Sequence, residues 1–301
     1  MRMTLAVALW VVALFLGVFW LRPYETNRTF GKLRLRLGGV KRVQAASLAA
    51  WEKNTCATGK PCRCVALIHG LGDSAGTWDK VLLGNDGAAP PPPDVRLLAV
   101  DLPGSEGSLP PASPSGYAIP AMADSVQEAL QSRCSEWTVA GNSLGGWVAA
   151  WLAIKWPEGV KRLVLINAAG LADPTGIEIE TARVLQDPTV EKMQAFSKRA
   201  YFKPPTVPDR AWPGLVAAIK ARPTARICAA LDPKDLLDGR AALIKAPTVV
   251  LWGLADKAIP EAVGRGFARL IHGARFVGLD QCGHLPQREC PSAVSKVLYG
   301  D

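Results

Sequence analysis

Histidine is scarce in this chain, with three residues in 301, and no two of them stand at a metal-binding spacing. Cys62-x-Cys64 does not complete a four-ligand set with them, so no metal or other cofactor is called for. Charged residues make up only 20% beside 49% apolar ones, which excludes a disordered polyelectrolyte. One long apolar run is too few for a polytopic transporter. Glycine and proline show no period, which excludes collagen. Seven cysteines in this length do not make a disulfide-dense scaffold, and no internal repeat is found.

The net charge of +9 is unevenly placed. Residues 1–42 hold eight basic side chains and one acid, Glu25, which leaves only +2 for the rest. A nucleic-acid interface would spread its basic residues over a folded face with aromatics between them, so no nucleic-acid partner is expected. Met3–Leu21 carries no charge. Nineteen helical residues would span about 28 Å, close to the hydrocarbon thickness of a bilayer. The run ends in bulky Val18-Phe19-Trp20-Leu21 rather than a small-x-small cleavage site, so residues 1–22 read as an uncleaved single-pass anchor with membrane lipid as a partner. The basic flank after it favours a cytoplasmic domain by the positive-inside rule.

After the anchor, continuous apolar runs suit strands buried on both faces of a parallel sheet. They are Cys64–Ile68, Val95–Val100, Trp137–Ala140, Arg162–Ile166, Thr248–Trp252 and Ala274–Leu279. Ile119–Cys134 and Leu144–Lys155 have helical spacing between them. This α/β order implies a doubly wound, mostly parallel sheet whose ligands bind beyond the carboxyl ends of the strands. The alternation Leu33-Arg34-Leu35-Arg36-Leu37 before Gly38-Gly39 reads as an edge hairpin. Residues 171–238 hold proline-punctuated helical pieces and no good strand, so they read as an inserted helical lid. The core is thereby split into 23–170 and 239–301.

The strongest chemical signal is Gly141-Asn142-Ser143-Leu144-Gly145, between a strand and a helix. A serine on so sharp a turn projects above the sheet, and the glycines stand where side chains would collide. Ser143 is the expected nucleophile. It needs a base, and His284, in the loop after the last strand, is preferred over His69 and over His272 at a helix end. Asp256 after the fifth strand is the expected acid, with Asp173 the runner-up. The tetrahedral oxyanion needs donors, for which the N–H groups of Leu144 and Leu71 are chosen. Gly70 and Gly72 let that loop approach closely, and His69 braces it. Gly70 and Asn142 are expected to line the substrate site.

These residues and their order resemble the α/β-hydrolase superfamily. The carrying pieces are His69-Gly70-Leu71-Gly72 with Trp78, Asp101-Leu102-Pro103-Gly104, Gly141–Gly146, Trp252-Gly253 with Asp256, and Gly283-His284 with Glu289. The resemblance covers about residues 30–301 and implies the α/β-hydrolase fold. It points to two branches. Membrane-anchored acylglycerol lipases and esterases share the anchor and the Ser-Asp-His order, which makes carboxylic-ester hydrolysis the favoured function, with a small-molecule ester or lipid as substrate. Carbon–carbon bond hydrolases acting on vinylogous diketones are the alternative, in which a lid arginine (Arg183, Arg199 or Arg210) would face the substrate acid. A non-catalytic binding protein of the same fold is the reading from another class. In the resembled fold the strands starting near Cys62/Cys64 and Cys134 are parallel neighbours, so Cys62 or Cys64 could bridge to Cys134. Cys282 and Cys290 could staple the His284 loop, Cys56 could take the leftover partner, and Cys228 would stay free. Such bridges favour an extracytoplasmic compartment, against the basic flank.

Overall fold

The computed structural model describes residues 22–300. Its strands are β1 (Lys41–Ala45), β2 (Leu48–Asn54), β3 (Arg63–Ile68), β4 (Val95–Val100), β5 (Trp137–Asn142), β6 (Val160–Ile166), β7 (Thr248–Gly253) and β8 (Arg275–Leu279). They form one sheet in the order β1-β2-β4-β3-β5-β6-β7-β8. Pairing is parallel from β4 to β8, and β2 runs antiparallel to both β1 and β4.

Strand alternation divides the core in two. Ala66, Ile68, Val139 and Leu165 face one side, beneath α3 (Ile119–Gln131), α4 (Leu144–Lys155) and α9 (Glu261–Leu270). Val65, Leu67, Ala140 and Ile166 face the other, beneath α1 (Pro23–Leu37), α2 (Asp79–Leu83) and α11 (Pro291–Tyr299). A strand covered on both faces has no polar side to show, which is why β3, β5 and β6 are apolar through their buried middles, residues 64–68, 139–141 and 163–166.

The expected hairpin over Leu33–Leu37 is corrected: those residues end α1, and the hairpin is β1–β2. On a helix Leu33 and Leu37 share a face, four residues apart, while Leu35 points the other way. Only Leu35 enters the core, and Leu33 and Leu37 are exposed. Pro23 begins the helix and Gly38-Gly39 follows it, a start and a stop that outweigh the apparent two-residue period. The run Met3–Leu21 lies outside the described residues. Among those described, no helix is long and apolar enough to cross a membrane.

Between β6 and β7 the chain leaves the sheet for four helices: α5 (Ile177–Gln186), α6 (Val190–Ala200), α7 (Trp212–Lys220) and α8 (Thr224–Ala230). Leu185, Met193, Trp212 and Ile219 give this insertion its own small core, and Leu71 of the loop after β3 packs against it. The disulfides are Cys56–Cys62, Cys64–Cys134 and Cys282–Cys290. Cys64, rather than Cys62, therefore takes Cys134 at the paired starts of β3 and β5. Cys228 is free, and burial pushes its thiol up to about 11, away from reactivity at neutral pH.

Candidate active site

Ser143 is the single residue between the end of β5 and the start of α4. Its φ of 56° and ψ of −125° are strained for a residue with a side chain, at a cost of ~1–3 kcal/mol. The surroundings hold it there. Its N–H donates to Ile166 O (3.1 Å), and its C=O accepts from the N–H of Gly146 (2.9 Å) and of Ala169 (3.1 Å). A Cβ on Gly141 would run into Gly145 O, and one on Gly145 into Ile68 O. Strand, turn and helix can cross this closely only through glycine.

His284 follows β8 in a loop and is buried. Its Nδ1 lies 2.8 Å from Asp256 Oδ2, with only 1% of the Asp256 side chain exposed. The carboxylate is fixed from several sides. Oδ1 accepts from the N–H groups of Ala258 (2.7 Å) and Ile259 (3.1 Å), and Oδ2 accepts from Asn167 Nδ2 (2.7 Å). Asn167 Oδ1 in turn accepts from Gly253 N–H (2.9 Å), tying the end of β6 to the end of β7. No motif marks Asn167, and sequence reasoning missed it. The signal available was its place just after β6, the counterpart of Ser143 after β5.

Asn142, expected at the substrate, turns its amide inward. Nδ2 donates to Ile166 O (3.0 Å) and His284 O (2.9 Å), and Oδ1 accepts from Gln287 Nε2 (3.1 Å). It therefore holds the His284 loop against the serine turn. Glu289 ties the same loop to the insertion: its carboxylate accepts from the N–H groups of Gly283 (2.8 Å), Phe202 (2.9 Å) and Lys203 (3.1 Å).

The loop after β3 makes a turn closed by Asp73 N–H donating to Gly70 O (3.2 Å). His69 lies beneath it: Nδ1 donates to Gly70 O (2.8 Å), and Nε2 accepts from Leu102 N–H (3.1 Å). Both roles are filled by one neutral tautomer. A Cβ on Gly70 would sit 3.1 Å from Ser143 Cβ, so the turn lies directly over the serine.

Ser143, His284, Gly70, Leu71 and Asn142 line one cavity of about 1050 Å³, walled on the far side by the insertion. Asp256 stands behind His284, and Leu144 is buried at the start of α4. Asp173 and His272 are elsewhere: Asp173 caps the start of α5 through Thr175 and Glu178, and His272 is exposed in the turn before β8. None of Arg183, Arg199 and Arg210 lines the cavity, and Arg199 is engaged with Glu180 and Lys257 O. The insertion's arginine in the cavity wall is Arg222, which sequence reasoning did not single out. A second cavity of about 900 Å³, between α3 and α8, contains none of the expected site residues.

A model of the "Alpha/beta hydrolase family" matches residues 65–297. The chain belongs to this family. Lipase 1 of Psychrobacter immobilis is 29% identical to this hydrolase over 271 residues, covering 82% of this chain and 80% of that one. A 2-hydroxy-6-oxononadienedioate/2-hydroxy-6-oxononatrienedioate hydrolase of Pseudomonas sp. is 25% identical, covering 75% and 82%. Among solved structures, a membrane phospholipase A described as a bacterial virulence factor superimposes with a TM-score of 0.72 at 23% identity, covering 99% of this chain and 96% of that one. That likeness speaks for the fold.

Proposed function

We propose that the protein is a carboxylic-ester hydrolase working through an acyl-enzyme on Ser143. The observation that carries this reading is the buried His284–Asp256 pair, 2.8 Å apart, opening with Ser143 on one cavity. Asp256 fixes the imidazole with Nδ1 as donor, which leaves Nε2 as the base. Nε2 takes the proton of Ser143 Oγ as Oγ bonds to the ester carbonyl carbon. The tetrahedral oxyanion is held by the N–H groups of Leu71 and Leu144, each worth ~3 kcal/mol in the transition state. Collapse breaks the bond to the alkoxy oxygen, and His284 returns the proton to the leaving alcohol. Water then repeats the sequence and releases the acid. The insertion acts as a lid, and its apolar wall suits an acyl chain. The lipase relatives support a lipid-like ester as substrate.

The nonadienedioate hydrolase relative keeps carbon–carbon bond hydrolysis as the second reading, since the same three side chains and an arginine in the wall would serve it. A non-catalytic role is separated from both by labelling. A fluorophosphonate probe is expected to modify Ser143, and Ser143→Ala to abolish both labelling and turnover of p-nitrophenyl butyrate and octanoate. Cleavage of a vinylogous diketone without ester turnover would reverse the ranking.

For location, we propose that residues 1–22 anchor the chain as a single pass and that the catalytic part faces an extracytoplasmic compartment. The three disulfides support the latter.

A further inference from the structure

The cavity has two unlike walls. On one, Leu185, Met193, Phe196, Trp212, Leu215 and Ile219 of the insertion form an apolar surface. The rest is charged, and around the whole cavity nine basic side chains stand against five acidic ones.

The excess centres on Glu106, in the loop after β4. Arg28 and Lys32 of α1 and Arg222 of the insertion all pair with this one carboxylate. Burial opposes its ionisation, but the three cations outweigh burial and hold it at about 2. It is therefore fully ionised at neutral pH and has no further charge to offer. The next carboxylate, Asp73, interacts with Arg222 and also with Arg288. Asp79 acts on Arg288 as well, so the excess stands at Glu106, where three cations face one carboxylate. The Arg222 side chain is only 9% exposed, and its buried Nε has no hydrogen-bond partner among the described residues. A buried donor left unpaired is destabilising unless something arrives to accept from it.

Position adds to this. Arg222 Nη1 donates to Gly72 O, in the turn that carries Leu71. A group bound at Arg222 would therefore share the cavity with Ser143 and border the turn that carries Leu71. A planar guanidinium with a nearby ammonium suits a phosphate, which has several acceptor oxygens. A small dienedioate would use the cations but leave the apolar wall uncovered.

Resting on the ester-hydrolase reading, we propose that Arg28, Lys32 and Arg222 form a cationic shelf that binds the phosphate of an anionic glycerophospholipid, while its acyl chain lies along the insertion's apolar wall.

The test uses the purified full chain and two short-chain esters below their aggregation limits, dihexanoyl phosphatidylglycerol and neutral dihexanoylglycerol. The wild type is expected to favour the anionic ester at least about tenfold in kcat/KM, mainly through KM, with the preference shrinking as NaCl is added. Arg28→Gln/Lys32→Gln, two partly exposed sites, is expected to lower that ratio about tenfold or more. Lys161→Gln, at an exposed ion pair with Glu136, should leave it unchanged. Fluorophosphonate labelling of Ser143 reports folding of every variant. A wild type that turns over no ester would fail the ester reading itself. Three results overturn the shelf while leaving that reading intact: ester turnover with no anionic preference, a preference untouched by Arg28→Gln/Lys32→Gln, or a preference seen only with anionic vesicles and not with monomers. The last would assign the cations to surface recruitment. Equal preference for a dienedioate would assign them to a carboxylate and overturn the phosphate assignment.

Discussion

Glu178 is an unusual carboxyl among the described residues. Its stem is partly exposed, but Oε2 is buried and unpaired among the described residues. Burial, with Asp173 and Asp256 nearby, pushes its pKa from an ordinary 4.5 to about 8. The sign follows from proton counting. Below about pH 4.5 the folded and unfolded chains both hold the proton. From there to about pH 8 the unfolded chain releases it and the folded chain keeps it, so stability falls as pH rises, by the order of a few kcal/mol in all. Glu178→Gln removes the ionisable group. Thermal unfolding at pH 5 and pH 9 should show the wild type losing more stability across that interval than the variant. Equal losses would mean that the carboxyl reaches water. Asn167 makes a different case. Its amide holds Asp256 Oδ2 and spans β6 to β7, so Asn167→Ala frees one side of the carboxylate that orients His284. A fall in kcat on p-nitrophenyl esters of about tenfold or more is expected, with KM little changed. An unchanged kcat would show that Ala258 and Ile259 suffice.

At the level of elements, the loop from β8 to α10 (Pro286–Glu289) is fastened redundantly. Cys282–Cys290 closes it covalently, Glu289 ties it to the residues after α6, and His284 N–H donates to Ala200 O (2.6 Å). Closing so short a loop contributes about 2–3 kcal/mol through the unfolded state. Cys282→Ser/Cys290→Ser should therefore lower unfolding stability by about that much, while kcat/KM on a short ester changes less than about fivefold. A collapse of kcat would show that the disulfide alone positions His284. Strength of local signal also explains what the sequence revealed. The parallel strands were legible because burial on both faces leaves their central residues almost wholly apolar, the half-exposed edge strand β8 being the exception, and the serine turn because only glycine fits around it. The Leu33–Leu37 segment was not, since two-residue spacing of leucines is ambiguous when one is core and two are exposed. The Arg222–Glu106–Arg28 cluster was invisible for another reason. Arg28 lies 78 residues before Glu106 and Arg222 lies 116 after it, and each alone reads as an ordinary surface charge.

For the whole molecule, two features of the chain disagree about the side of a membrane on which the proposed anchor would place it. Three disulfides belong to an oxidising compartment. The basic residues after Leu21 would ordinarily retain a domain in the cytoplasm. The fold weakens the second signal. Arg28 and Lys32 pair with Glu106, Arg34 with Asp79, and Arg42 with Asp101, so these charges serve the folded domain's own carboxylates rather than a free flank. Long domains also cross membranes largely regardless of charge. The extracytoplasmic reading therefore predicts that the full chain sediments with membranes, that removing residues 1–21 releases an active enzyme, and that alkylation of the denatured but unreduced protein marks Cys228 alone. After reduction all seven cysteines should react. Without denaturation Cys228 should react slowly, since burial holds its thiol at about 11. Full labelling before reduction would place the domain in a reducing compartment and leave the basic flank as the deciding signal.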